Sequence, residues 1–170
     1  MNCKKIFAGI LCAVMLSANT VTATASSDNL LEYEPVTVAE LESALFYDLK
    51  PLAHVYIDAG RLYGIDPVFL AAKDAEESGW GRYTAAPNNL GGWTSSKGYM
   101  SFISPESYIY YSASKMKHMY LEMDGVYYHG TSLSDVNVHY NGSQTWVDHV
   151  GGIMKDINRR INKYRSTVVL

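Results

Sequence analysis

Apolar residues recur along most of this chain at intervals of three and four, the spacing that lines up one face of an α-helix. After Pro51, the residues Leu52, Val55, Tyr56, Ala59, Leu62 and Tyr63 share such a face, and Gly64 closes the run. Ile109, Ala113, Met116, Tyr120 and Met123 repeat the pattern before Gly125, and Val147, Val150, Ile153, Met154, Ile157, Ile161 and Tyr164 carry it through the last segment, about 145–164. The helix starts are also written in the sequence. Thr37 with Glu40 three residues on forms a capping box, predicting a helix from there through Asp48, and Pro51 suits the first turn of the next. Asp66-Pro67 opens another, because Asp accepts from the free amides and Pro has no amide to leave unpaired; that helix is expected to run to Ser78, with Gly79 as its stop. Ser104-Pro105 opens a fourth, and a short one is expected at about 132–138. Between Gly79 and Ser104, Pro87-Asn88-Asn89, Gly91-Gly92 and Gly98 interrupt every period and predict a loop or small hairpin. The fold class that follows is all-α, with one short irregular or hairpin excursion at about 80–103.

The first 25 residues obey a different pattern. Lys4 and Lys5 precede the apolar run Ile6 to Leu16, and small residues end in Ala23-Thr24-Ala25. This predicts a secretory signal peptide cleaved after Ala25, since a membrane-spanning helix needs about 20 apolar residues. Leu11 is too bulky to precede a lipidated Cys12, so a lipid anchor is not expected. Both cysteines, Cys3 and Cys12, fall inside the signal, so an exported mature chain is left without a disulfide and must be held by packing. Residues 26–36 read as a flexible tether, 37–165 as a single domain, and 166–170 as a tail. Removing Lys4 and Lys5 leaves 12 basic residues against 17 acidic ones, a formal charge of −5, which gives no electrostatic footprint for nucleic acid. The 14 Tyr, beside 3 Trp and 4 Phe, suit either stacking on sugar faces or a half-wet core.

Glu77 ends the helix opened by Asp66-Pro67, in the run Glu77-Ser78-Gly79-Trp80-Gly81. A carboxyl beside Trp80 and under a glycine-rich loop can be partly desolvated, which raises its pKa and keeps it protonated near neutral pH. Such a carboxyl can protonate a leaving glycosidic oxygen. The position equally suits a solvated glutamate in a charged last turn, with Asp74 and Glu76 close by.

The run Phe69-Leu70-Ala71-Ala72-Lys73-Asp74-Ala75-Glu76-Glu77-Ser78-Gly79-Trp80-Gly81-Arg82, followed by Asn88-Asn89-Leu90-Gly91-Gly92-Trp93, resembles the bacterial endo-β-N-acetylglucosaminidase family, which includes flagellar peptidoglycan hydrolases and belongs to the lysozyme superfamily. Phe102 and Ser104 are similar to that family's aromatic residue and helix-opening serine, and Tyr140, Trp146 and Val150 match the spacing of its closing motif. The four blocks cover roughly residues 52–164. The resemblance implies a lysozyme-like α-lobe secreted to the cell wall and acting, as a monomer without metal or cofactor, on the β-1,4 glycan strands of peptidoglycan. It implies Glu77 as general acid and Tyr140 as the site tyrosine. Trp80, Asn88, Asn89, Trp93, Tyr99, Phe102 and Asn141 are the expected substrate contacts.

The chain departs from the family pattern at Glu76, where an apolar residue is usual, at Gly91, where Phe is usual, and at Ser143, where Asp is usual. Its central excursion is also shorter. Asn141-Gly142 leans towards the related lytic transglycosylases. Residues 78–105 contain no Asp or Glu, so the second carboxylate of the usual glycosidase schemes must come from elsewhere. Glu106, Glu122 and Asp124 are the distant candidates; without them, the sugar's acetamido group or a muramic 6-hydroxyl serves as nucleophile. Glu76, about 100° around the helix from Glu77, reads as a solvent-facing neighbour. His118, His129, His139 and His149 have no compact zinc spacing. Lytic transglycosylase and muramidase remain open within the same chemistry. A catalytically idle cell-wall-binding module is the alternative from another class.

Overall fold

The structure, a computed structural model, describes residues 27–168. The expected signal peptide therefore lies outside the described residues, as does the end of the expected tail. The protein is mostly helical, with six α-helices among the described residues and one two-stranded hairpin.

Helix α1 (Val38–Ala44) starts at the expected capping box: Thr37 Oγ1 accepts from the Glu40 N–H at 3.3 Å and Glu40 Oε2 from the Thr37 N–H at 2.7 Å. It stops four residues short of Asp48. Leu45 turns extended, Tyr47 takes a left-handed φ of 44°, and Tyr47–Leu52 form a 3₁₀ turn with Pro51 inside it. Pro51 thus does not open α2 (Ala53–Tyr63). A proline disfavours α geometry in the residue before it and cannot donate to the ladder, so a tighter turn bridges the two helices. Helix α2 buries Val55, Tyr56 and Ala59 and ends on left-handed Gly64, but Leu62, expected on that face, is 65% exposed in its last turn.

Helix α3 (Pro67–Ser78) has both predicted ends. Asp66 Oδ1 accepts from the Val68 N–H at 2.8 Å, and Gly79 adopts φ 57° with its N–H on Ala75 O. Every residue from Pro67 to Ala75 is buried, the signature of a helix at the centre of a core rather than on its rim. Ala71, Ala72 and Ala75 keep its surface low, and α2 and α6 (Gln144–Val168) both pack against it.

The central excursion contains the hairpin β1 (Thr94–Ser95) and β2 (Gly98–Tyr99), antiparallel with Thr94 opposite Tyr99 and Ser95 opposite Gly98. Helix α4 (Pro105–Lys115) continues as a π-helical stretch, Met116–Leu121. It ends before Met123, which is 86% exposed rather than on the core face. Gly125 closes the following turn, where a Cβ would collide with the Met119 and His118 carbonyls. Helix α5 (Leu133–Tyr140) runs two residues past the expected end, so Tyr140 is its last residue.

The two ends of the expected domain also differ from the sequence reading. Residues from Ser27 on are no free tether: Leu30 is fully buried, donates to Thr131 O at 2.8 Å and accepts from the Asp66 N–H at 2.9 Å, while Ser27 O accepts from the Leu133 N–H. Leu31 and Val36 pack against the core beside it, so several apolar contacts as well as these backbone bonds hold the segment in place. The expected tail continues helix α6 to Val168, directly after Arg165, which is bonded to Glu40 and to Pro35 O. No helix among the described residues is long and apolar enough to cross a membrane.

Candidate active site

Glu77 sits in the last turn of α3, where the helix emerges from the core. Its neighbours come from three other parts of the fold. Gly91, Gly92, Trp93 and Thr94 arrive from the excursion, Tyr120 from the π-helical stretch, and Tyr140 and Asn141 from the end of α5; together with Glu77 they line one open cavity of about 260 Å³. Tyr120 belongs to the π-helical stretch, a local irregularity that often marks functional sites.

Glu77 Oε1 accepts a 2.8 Å hydrogen bond from the indole Nε1–H of Trp146, the first-turn tryptophan of α6. Its other oxygen is left to hold a proton. The side chain stays accessible from the cavity, but the protein around it removes enough water to raise its pKa above the usual carboxylate value. The Trp146 bond and the Lys73 charge work against this rise, and the charges of Asp74 and Glu76 add to it. Glu76 itself points away from the cavity lining and accepts from or pairs with His149 Nδ1 at 2.9 Å.

The Tyr140 ring lies 5.0 Å from Trp146, 5.8 Å from Tyr120 and 6.4 Å from Trp93, centroid to centroid. Burial, then the neighbouring Glu77 charge, holds its phenol well above its ordinary pKa, so it remains a neutral hydroxyl across the working pH range. Trp93 also stacks edge-on against Tyr111.

Beneath this floor lies a polar cluster that sequence reasoning missed. Lys73 and Asp74, both buried, form an ion pair. Tyr108 OH donates to Asp74 Oδ1 at 2.7 Å and accepts from Lys73 Nζ at 3.1 Å, and Tyr56 OH donates to Asp74 Oδ2 at 3.0 Å. Burial acts to lower the Lys73 pKa, but Asp74 and Tyr108 more than offset it, so the amine stays charged. The cluster ties α3 to α2 and α4 just below the cavity. Gly91 covers it: a Cβ there would clash with the Tyr108 hydroxyl oxygen and lie 3.3 Å from Lys73 Nζ. This is the physical reason for glycine where the resembled family carries Phe. The one available signal was a Lys-Asp pair directly after the apolar run Pro67–Ala72 and before Ala75, which fits burial only if the two charges meet.

Of the expected site residues, Glu77, Trp93, Tyr140 and Asn141 are brought together. Asn88 and Asn89 instead hold the excursion in shape. Asn88 Nδ2 donates to Phe102 O at 2.8 Å; Asn89, fully buried, donates to Trp93 O and Met100 O and accepts from the Trp93 N–H. Phe102 packs edge-on against Tyr108. Tyr99 stands 61% exposed on the hairpin, near Gly92. Trp80 turns away from the cavity and packs edge-on against Phe46 at 5.0 Å. Glu106 lies in the first turn of α4, its carboxyl held low by Ser104; Glu122 pairs with His118, and Asp124 is exposed. None of these three lines the cavity, so Glu77 is its one carboxyl among the described residues. Among the described residues no group of three His, Cys, Asp or Glu side chains is placed to hold a metal ion.

No protein-family model matches the chain, and no curated protein matches it.

Proposed function

We propose that this protein is a peptidoglycan glycosidase with a lysozyme-like α-lobe, cleaving the β-1,4 glycan backbone at the cell wall in the N-acetylglucosaminidase manner. The observation that carries the reading is Glu77: a single carboxyl with a raised pKa, open to a cavity, steadied by the Trp146 indole and faced by Tyr140. A cavity of this size, close to the lower end for small-molecule sites (roughly 300 Å³), suits one sugar ring of a longer chain.

In the proposed reaction Glu77 gives its proton to the departing glycosidic oxygen and becomes a carboxylate. With no second carboxyl in the cavity lining, the substrate's own acetamido oxygen forms the new bond to C1 as the C1–O bond breaks. Water then attacks C1, returns a proton to Glu77 and releases the acetamido oxygen. Tyr140 orients the acetamido group, and the buried Lys73–Asp74 pair keeps the floor rigid. The same single carboxyl supports a second outcome, internal attack by a muramic 6-hydroxyl, which yields an anhydro end.

Purified glycan strands incubated with the protein test this. Products with new reducing N-acetylglucosamine ends support the glucosaminidase reading; reducing muramic ends or anhydromuramic ends assign muramidase or transglycosylase. Glu77→Gln is expected to bind walls and lose lysis by at least about 100-fold. Intact strands with the parent protein, and equal wall binding by parent and variant, would instead make the protein a binding module.

A further inference from the structure

Away from the cavity, two turns carry aromatic residues in backbone conformations that side chains of this kind rarely adopt. Tyr47 has φ 44° and Trp80 φ 65°. Bulky residues in this region are strained, and such strain persists where the surroundings over-determine it, often at ligand clamps. The turns interlock: Gly81, φ 90°, comes so close to the chain at Asp48 that a Cβ on it would lie 2.9 Å from the Asp48 Cβ. A glycine at position 47 would relieve the strain, and a tyrosine stands there with 59% of its surface exposed.

Around these turns the rings and cations form one surface. Phe46 is 41% and Tyr83 69% exposed. Phe46 meets Tyr47 at 6.2 Å and Trp80 at 5.0 Å. The Arg82 guanidinium lies 4.0 Å from the Tyr47 ring centre and 5.3 Å from that of Tyr83, and Arg160 lies 4.0 Å from Phe46. Arg82 donates its Nε–H to Gly79 O and has no acidic partner among the described residues. Arg160 is tied to Ala44 O and lies 3.7 Å from Asp156. The exposed rings of Tyr47 and Tyr83, each with a polar edge, and that of Phe46, fixed at low entropy cost beside a guanidinium with donors to spare, match a sugar chain that bears carboxylates: ring faces take the C–H faces, and Arg82 takes a carboxylate.

We propose that Phe46, Tyr47, Trp80, Arg82 and Tyr83 form a second glycan-binding surface, separate from the Glu77 cavity, for a carboxylate-bearing N-acetylated strand of the cell wall. The choice of strand rests on the proposed function, while the binding itself requires no hydrolysis. The surface holds the protein on its polymer between encounters of the cavity with a bond.

The test is retention on insoluble peptidoglycan in the full chain carrying Glu77→Gln, so that cleavage does not intervene. Adding Tyr47→Gly or Tyr83→Ala is expected to weaken retention by about two- to tenfold each, the range of a stacked ring, and Arg82→Gln to reduce its dependence on salt. Tyr47→Gly also separates binding from folding: relief of the left-handed strain keeps or raises the thermal midpoint while retention falls. Equal retention by parent and both ring variants overturns the proposal, as does failure of the parent to bind walls. Lysis by the native protein is scored separately, so loss of one reading leaves the other standing.

Discussion

The contact of Gly91 with the buried Tyr108 hydroxyl allows a quantitative check of the site's floor. Gly91→Ala adds one methyl group, which comes well inside van der Waals contact with that oxygen and 3.3 Å from Lys73 Nζ. Gly91 carries no left-handed φ, so the cost is steric alone. Forcing a methyl into a packed site costs about 1–3 kcal/mol. Here the obstructing atom cannot swing aside freely, because it bonds both Asp74 and Lys73, and losing one such buried bond adds about 1–3 kcal/mol. The variant is therefore expected to lose roughly 2–6 kcal/mol, read by guanidinium unfolding, with a fall in the thermal midpoint of about 2–4 °C per kcal/mol or somewhat more for a domain of this size. Tyr108→Phe alone loses its hydroxyl bonds, while in the double variant the methyl occupies the space the oxygen has left. The double variant should be less damaged than the two single effects summed, by at least about 1 kcal/mol. Additivity within about 0.5 kcal/mol, or a Gly91→Ala cost below that figure, refutes the account of why glycine stands here.

Other expectations follow from the same contacts. Lysis by the native protein should persist above the ordinary carboxylate range and fall as Glu77 ionises, because the acid works only while protonated; Trp146→Phe removes a bond that favours the carboxylate, so the alkaline limb moves upward, and a downward shift contradicts the assignment. Asp66, fully buried with Oδ2 unpartnered, has its pKa pushed up to about 7 by burial, against its backbone hydrogen bonds. A raised acid contributes stability that is fully present below its unfolded pKa near 4 and is lost as pH rises through 7, on the order of 4 kcal/mol over the window. Asp66→Asn, which keeps the cap acceptor, should flatten this dependence and be the more stable protein at pH 8 by chemical denaturation; a less stable variant there rejects the assignment. Leu30→Ala should cost about 2–5 kcal/mol, and a cost under about 0.5 kcal/mol would return residues 27–36 to the role of a tether.

Helix starts at Thr37, Asp66-Pro67 and Ser104-Pro105, and the stop at Gly79, were legible from the sequence because capping is settled within three or four residues. The core faces of α4 and α6 were equally plain, since period alone assigns Ile109, Ala113, Met116, Val150, Met154, Ile157 and Ile161 to one side. The position of Glu77 at a helix end followed from the same local rules. Only the tertiary structure decided which groups meet it. The Trp146 bond spans 69 positions and the Tyr108–Asp74 bond 34, and nothing local encodes such meetings; they depend on how α3 is sandwiched between α2 and α6. For the same reason Trp80, adjacent to the site in the chain, leaves it after the left-handed turn at Gly79. Lys73 and Asp74 pair in the interior because packing on every side of α3 leaves Lys73 to meet Asp74 and Tyr108, and Asp74 to meet Lys73, Tyr56 and Tyr108.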